Sequence, residues 1–341
     1  YDIRLGKGEE IASYAVNYDK TTGAVKNSVV YFYGSGLKAA GATADERMAS
    51  QVTFKGIALT AAEVAAASLA AASESVTRGE GEDAERFYRT NVTTFDGPKG
   101  EEKAMASTTY SAQNGQTVLS HSVYTYTDSA IDDNSDTLDR VDTYRDATAG
   151  ARHISRTVYD THLGEGYETS LYTLNYNANG SDVKSTTVFF YGTTQKKADE
   201  LLATETELAM TNSVVFTGPI AELDTITFAT TAGRESVTTY DIRLGKGEEK
   251  ANTTTSYKPD GTTVDTVTTY YYHVTGNDYA PATNASVNAD SYMTKSVTTR
   301  GTTQNLKQET FYQGTLAGEE AINWSREFDY SGNVSTVTDY S

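Results

Sequence analysis

The residues best placed to do chemistry are glutamates. "GKGEE" stands at 6–10 and again at 245–249, with "PKGEE" at 98–102, "GEGYE" at 164–168 and "LAGEE" at 316–320. Paired carboxylates could cleave a glycosidic bond, which needs an acid and a base whose pKa values are driven apart. Adjacent residues on a strand point to opposite faces, however, so Glu9 and Glu10 would not face one substrate, and five copies would imply five sites. The plainer reading makes the two glycines a turn or bulge and lets the glutamates solvate and blunt a strand edge. On that reading Gly8, Gly100, Gly166 and Gly247 share one backbone conformation with φ above zero.

A second candidate is the acidic patch "DDNSDTLD" at 132–139. Asp132, Asn134, Asp136 and Asp139 offer oxygen ligands of the class that calcium takes. The spacing starts like an EF-hand loop and then breaks off: Thr137 replaces the glycine and Thr143 the bidentate glutamate. A solvated loop accounts for the same residues. His121, His153, His162 and His273 are scattered without a His-Glu-x-x-His pair. No Gly-x-Ser-x-Gly elbow occurs, and "GSGLKAAG" at 34–41 lacks the Gly-Lys-Ser/Thr of a phosphate loop. No enzymatic activity is expected, and no cofactor apart from the calcium candidate.

The elements that carry these residues repeat. The middle glycines Gly8, Gly100, Gly166, Gly247 and Gly318 are spaced 92, 66, 81 and 71 residues apart, an elastic period. An aromatic precedes each motif (Tyr1, Phe95, Tyr159, Tyr240, Phe311) and another follows it (Tyr18, Tyr110, Tyr176, Tyr257, Phe328). Between them runs an alternation such as Ser170, Tyr172, Leu174, Tyr176, the period of a strand with one buried face. A turn ending in glycine comes next, as in "NANG" at 177–180 and "KPDG" at 258–261, and then a run such as "VVYFYG" (29–34) or "TVFFYG" (187–192). Each copy is thus expected to hold a hairpin. A further strand is expected in "ASQVTFKG" (49–56), "TNSVVFTG" (211–218) and "TKSVTTRG" (294–301). Thr60 and Glu63 form a capping box before the Ala-rich run at 60–73, which predicts a short helix, and "KKADELLATETELAM" (196–210) has room for one or two helical turns.

The fold class that follows is all-β: tandem antiparallel hairpins stacked into an elongated array, with short helical insertions. The copies divide as 1–94, 95–158, 159–239, 240–310 and a partial 311–341. A single aromatic face is too small to bury alone, so neighbouring copies are expected to complete each core, with Tyr18 and Tyr257 in it. The chain opens inside a motif and its fifth copy stops short, so the sequence is expected to be an interior piece of something longer.

Composition narrows the partners. The chain of 341 residues has 25 Tyr, 10 Phe, 1 Trp and no Cys, and its net charge of −18 repels nucleic acid and anionic lipid. Without cysteine there is no disulfide, thiolate metal site or thiol nucleophile. No apolar run is long enough for a membrane span.

The turn-and-strand units "FDYSGNVSTVTDY" (328–340) and "SYKPDGTTVDTVTTYYY" (256–272) partly resemble the Tyr-Asp repeats of Rhs-like bacterial envelope and toxin-shell proteins. The whole unit, from its "GEEKA" opening to its "YFYG" close, is similar to the long tandem-repeat proteins of bacterial surfaces and fibres. That resemblance implies an extracellular or cell-surface structural role, as a segment of a filament, fibre or stalk that self-associates with further copies. The alternative it leaves open is an adhesin-like module whose Tyr-rich faces recognise carbohydrate or protein.

Overall fold

The computed structural model describes all residues except 5, 8, 20–22, 70–74, 81–83, 128–135, 148–149, 151, 302–304, 316, 319 and 341. Among the described residues the chain is nearly all β. In order the strands are β1 (Tyr14–Tyr18), β2 (Val25–Tyr33), β3 (Leu37–Lys38), β4 (Met48–Lys55), β5 (Ser75–Arg78), β6 (Glu85–Asp96), β7 (Lys103–Tyr110), β8 (Val118–Tyr126), β9 (Leu138–Tyr144), β10 (His153–Asp160), β11 (Thr169–Tyr176), β12 (Val183–Tyr191), β13 (Met210–Thr217), β14 (Arg234–Asp241), β15 (Lys250–Tyr257), β16 (Val264–Thr275), β17 (Asp278–Pro281), β18 (Met293–Arg300), β19 (Asn305–Gln313), β20 (Ala321–Phe328) and β21 (Val334–Asp339). One α-helix, α1 (Ala61–Ala66), is capped as the sequence predicts, with Thr60 and Glu63 bonding reciprocally. Within 196–210 the helical piece is a single 3₁₀ turn, Ala198–Glu200.

The chain forms two compact units, Tyr1–Glu168 with Tyr176–Asp182, and Thr169–Asn175 with Val183–Ser341. In the first, β1, β2, β4, β6, β7, β8, β9 and β10 pair antiparallel in that order. In the second, β12, β13, β14, β15, β16, β18, β19, β20 and β21 do the same. The short strands β3, β5 and β17 add to β2, β6 and β16. The expected hairpins are present, but from one motif to the next the chain runs through four principal strands, such as β15, β16, β18 and β19. The fourth strand (β6, β10, β14, β19) carries the aromatic that precedes each of the last four motifs, and hydrophobic patterning did not reveal it. β9 is a third strand it also missed.

Why one sheet face is buried in places and open in others follows from rungs in register. Val30, Val52 and Val92 form one rung, and Val188, Val214 and Val237 the matching one. Phe32 and Phe54 flank the first, and Ile57, Leu59, Val64 and Ala67 from the segment after β4 close over them. Phe190 and Phe216 flank the second, covered by Ile226 with Ile220, Leu223 and Phe228 at the rim. A buried hydroxyl ties each cover down: Ser28 Oγ donates to Ile57 O at 2.7 Å, and Thr186 Oγ1 to Gly218 O at 2.8 Å. The cover of each core thus comes from the copy's own connection between its third and fourth strands, where the expectation was a neighbouring copy; Tyr257 of the next copy, expected in a shared core, does pack against the second. That connection is also the elastic part. It spans 56–84 and 218–233 where it covers the sheet, but only 145–152 and 301–304 elsewhere.

Where no cover follows, the rungs change chemistry. The rung Val188–Val214–Val237 continues as Thr255, Val267 and Thr299, and the next rung reads Thr253, Thr269, Val297 and Glu309. Threonine suits a strand that is half in water. Its hydroxyls also pair across the ladder: Thr238 with Thr254, Thr239 with Thr253 and Thr268 with Thr298, each at 2.8 Å.

Candidate functional site

The repeated motif folds as two successive turns. In the fourth copy Gly245 N donates to Ile242 O at 3.0 Å and Glu248 N to Gly245 O at 3.3 Å. The middle glycines Gly100, Gly166 and Gly247 take φ between +80° and +85°, as expected, Gly318 takes +83°, and Gly8 lies outside the described residues.

The two glutamates part company. The first (Glu9, Glu101, Glu248) is exposed. In the first copy Glu10 is exposed as well, but in the other four the second glutamate is half-buried and serves as a backbone acceptor. Glu249 takes the N–H of its own turn glycine Gly247 on Oε2 at 2.9 Å and that of Met210, first residue of β13, on Oε1 at 2.9 Å. Glu102 bridges Gly100 and Met48 in the same way, and Glu320 bridges Gly318 and Met293. Glu168 accepts from Leu138, which opens β9, at 3.1 Å. Solvation of an edge therefore describes the first glutamate only. The second fastens the start of the third strand to the turn after the fourth, so the pair is split between two tasks and is not an acid–base couple. Glu249→Ala is expected to lower stability by about 1–3 kcal/mol, the cost of stranding donors that a charged acceptor had satisfied. Glu248→Gln is expected to leave stability within about 0.5 kcal/mol. Urea titration of both variants checks this, and equal losses would refute the division of labour.

A tyrosine closes each hairpin from the other side. Tyr33 Oη donates to Ala12 O at 2.7 Å, Tyr126 to Ala104 O at 2.9 Å, Tyr191 to Ser170 O at 2.7 Å and Tyr272 to Ala251 O at 2.9 Å. Tyr33, Tyr191 and Tyr272 are buried, while Tyr31 and Tyr271 are half-buried. Burial pushes the phenols of Tyr33 and Tyr126 up to about 12 and moves Tyr272 upward as well. The folded chain keeps these protons where the unfolded chain, with phenols near 10, releases them. Their contribution to stability is complete below pH 10 and is lost as the pH rises through about 12. The thermal midpoint is expected to fall across that window together with a rise in tyrosinate absorbance. A midpoint that stays flat to pH 12 would contradict it.

A cation from the fourth strand completes the unit. Arg89 lies 4.3 Å over the Tyr110 ring and donates to Gly115 O, and Arg234 lies 4.1 Å over Tyr257 and donates to Gly261 O. In the second copy His153 stacks on Tyr176 with centroids 4.7 Å apart. Tyr18 was expected in a shared core, but it is 54% exposed, because among the described residues no fourth strand flanks β1 to place a cation over it. The repeated "YDIR" has its own task. Arg243 pairs with buried Asp241 and donates to Ala282 O and Asn284 O, and Arg4 pairs with Asp2 and donates to Ala39 O and Ala42 O.

Of the calcium candidates, Asp132 and Asn134 lie outside the described residues. Asp139 pairs with Arg140 at 3.0 Å, and Asp136 is buried with Oδ2 lacking a hydrogen-bond partner. Among the described residues no three acidic or histidine side chains converge on a point that could hold a metal. Sequence reasoning passed over Asp142, which stands at the place of Val214 and is buried. Its carboxylate meets Arg156 Nε at 2.6 Å, Arg140 Nε at 3.2 Å and His153 Nε2 at 3.3 Å.

The open face of the second unit carries a row that composition alone could not place. Tyr271, Lys295, Phe311 and Trp324 stand in register across β16, β18, β19 and β20. Phe311 and Trp324 stack with centroids 4.1 Å apart, and Tyr279 meets Tyr271 edge-on. Lys295 Nζ lies 5.3 Å from the Phe311 centroid. Beside them Glu309 joins Lys295 and Arg326; burial pushes its carboxyl up, but these two cations outweigh that and hold it below the usual range. The row is an aromatic and cationic platform, suited to stacking against a flat apolar surface.

No family model matches the chain, and no curated protein matches its sequence. Among solved structures it is similar to a porin-like protein from Bacteroides uniformis, at 9% identity over 91% of this chain and 92% of that one, with a TM-score of 0.24. It is also similar to TcdB2-TccC3, at 13% identity over 94% of this chain, with a TM-score of 0.19; there it spans 18% of the other chain. At such scores the backbones do not superpose well enough to define a common topology. Among the described residues no helix is long and apolar enough to cross a membrane, which says nothing of strands.

Proposed function

We propose that the chain is a structural repeat segment of an extracellular or cell-surface filament, fibre or stalk, with further copies of the same repeat as its partners and no catalytic role. The observation that supports this reading is the recurrence of one fastening set. A tyrosine hydroxyl and a split glutamate hold successive copies in the same register. A device copied in every interval serves architecture, since a reaction centre is needed once. Sedimentation over a concentration series, with electron microscopy of the assembled fraction, tests it. Fibrils or concentration-dependent oligomers are the expected result, and a monomer at every concentration would count against it. Glu9→Gln and Glu248→Gln should leave assembly intact and reveal no lost sugar hydrolysis.

One observation favours a second reading, an adhesin-like module binding carbohydrate or protein: the open row of Tyr271, Lys295, Phe311 and Trp324. Trp324→Ala should then abolish binding in a glycan or protein array while leaving assembly unchanged.

A further inference from the structure

The third strands of the four copies open at Met48, Leu138, Met210 and Met293, so their residues correspond place by place. At the fifth place Val52 and Val214 each face a valine of the fourth strand, Val92 and Val237. The second and fourth copies put charge into that pair: Asp142 faces Arg156, and Val297 faces Glu309. At the third place the covered copies have buried Ser50 and Asn212, which face Phe32 and Phe190. The other two have Arg140 facing Thr125 and Lys295 facing Tyr271. Where a cover lies over the face the rung is apolar, and where none does a carboxylate is clamped between two cations.

The two clamps share one geometry. Asp142 accepts from Arg140 Nε at 3.2 Å and from Arg156 Nε at 2.6 Å. Glu309 meets Lys295 Nζ at 2.6 Å and Arg326 Nε at 2.6 Å. In each clamp one cation stands at the third place of the third strand, and the other stands directly opposite the carboxylate on the following strand. The carboxylates are only 6% and 9% exposed, so the cations near them depend on that charge for a partner. Val123 faces Asp142 from β8, and the other titratable groups around it are His153, Tyr144 and, behind the guanidinium of Arg156, Tyr176. Around Glu309 the charged groups are Lys295 and Arg326, with the Phe311 ring against both.

We propose that the second and fourth copies are acid-opened joints in a chain whose first and third copies stay closed. Protonation of Asp142 and Glu309 removes the negative charge at the centre of each clamp. Arg140 is then left against Arg156, and Lys295 against Arg326, on a face with no cover to hold it. β8–β10 and β18–β20 part, while β2–β6 and β12–β14 keep their apolar rungs.

The direction follows from Glu309. Burial pushes its carboxyl up, but the two cations outweigh burial and hold it below its ordinary value of 4.5. Its contribution to stability is therefore complete above pH 4.5 and is lost as the pH falls through the lower value of the folded chain. The first cover keeps its own ion pair well into acid, since Arg78 holds Glu63 down to about 2. The second glutamates of the motif titrate as well. They fasten covered copies (Glu102, Glu249) and uncovered ones (Glu168, Glu320) alike, so they weaken all four copies together. The device works within a single chain and is independent of whether chains assemble.

Hydrogen exchange of the full chain from about pH 7 to about pH 3, corrected for the intrinsic rate, is the test. Protection is expected to fall about tenfold or more further in β8–β10 and β18–β20 than in β2–β6 and β12–β14. At neutral pH Asp142→Asn should reproduce the acid loss in β8–β10 alone, and Glu309→Gln in β18–β20 alone. In each variant the altered stretch should respond to acid no more than the covered stretches do. An equal fall in all four stretches, earlier opening of a covered one, or no response in either clamped one would overturn the device. So would variants that keep the wild-type acid response. The wild-type profile decides by itself where a variant does not fold.

Discussion

Replacing Gly261 with alanine is expected to cost the second unit about 3 kcal/mol or more, whereas Gly218→Ala is expected to cost about 1–2 kcal/mol. Both glycines adopt left-handed backbone, with φ of +68° and +66°. That conformation alone penalises an L side chain by about 1–2 kcal/mol, so it sets the common part of the loss. The difference lies in what a methyl group would meet. At Gly218 it would meet open space, but at Gly261 it would overlap the carbonyl oxygen of Thr231, which is backbone and has no rotamer to yield. Relief would require the β15–β16 turn to move away from the end of β14, pulling Gly261 O off Arg234 Nε, now 2.9 Å distant, and Tyr257 from beneath the guanidinium. Gly180 holds the corresponding turn in the first unit, where a methyl would overlap the backbone of Arg152. Urea midpoints of the two variants decide the matter, and equal losses would mean that the turn is not packed against the preceding strand.

How much of this was legible in the sequence depended on where stability comes from. Hairpins were legible because alternation and a turn glycine are local signals, as was the Thr60–Glu63 cap. The fourth strands were not. "RESVTTYD" of β14 has almost no apolar alternation, because its rungs are fastened by threonine hydroxyls more than by burial. β9 was missed for a related reason, since Asp142 stands where the pattern asks for valine and ion pairs make up for it. The role of the second glutamate is non-local: Glu102 and Met48 are 54 residues apart, Glu249 and Met210 39. A faint signal did exist. Three of the chain's four methionines, Met48, Met210 and Met293, open the third strand that such a glutamate fastens. The acidic patch at 132–139 stays open by the same measure, because charge density on a chain of net −18 is by itself a weak indicator of a site.

The other large effect concerns the cover. Phe190→Ala is expected to destabilise the β12–β14 region by about 3–5 kcal/mol, while Tyr271→Ala, at the corresponding place on the uncovered stretch of the same face, should cost about 1 kcal/mol. Phe190 is 1% exposed, packed among Val188, Val214 and Phe216, and it meets Phe228 of the cover edge-on at 5.6 Å. Removing it leaves a cavity that a sheet hydrogen-bonded on both sides cannot close, so transfer and cavity terms both apply. Tyr271 has water on one side, so truncation removes an edge contact with Tyr279 and little enclosed volume. Hydrogen exchange is the suitable measurement, because a chain of successive rungs need not unfold in one step and a global midpoint would blur a local loss. Protection should fall in β12, β13 and β14 for Phe190→Ala and stay near wild type in β18 and β19. If Tyr271→Ala opened its neighbours as widely, the face around it would be a packed core, and the change from valine to threonine along the rungs would need a cause other than exposure to water.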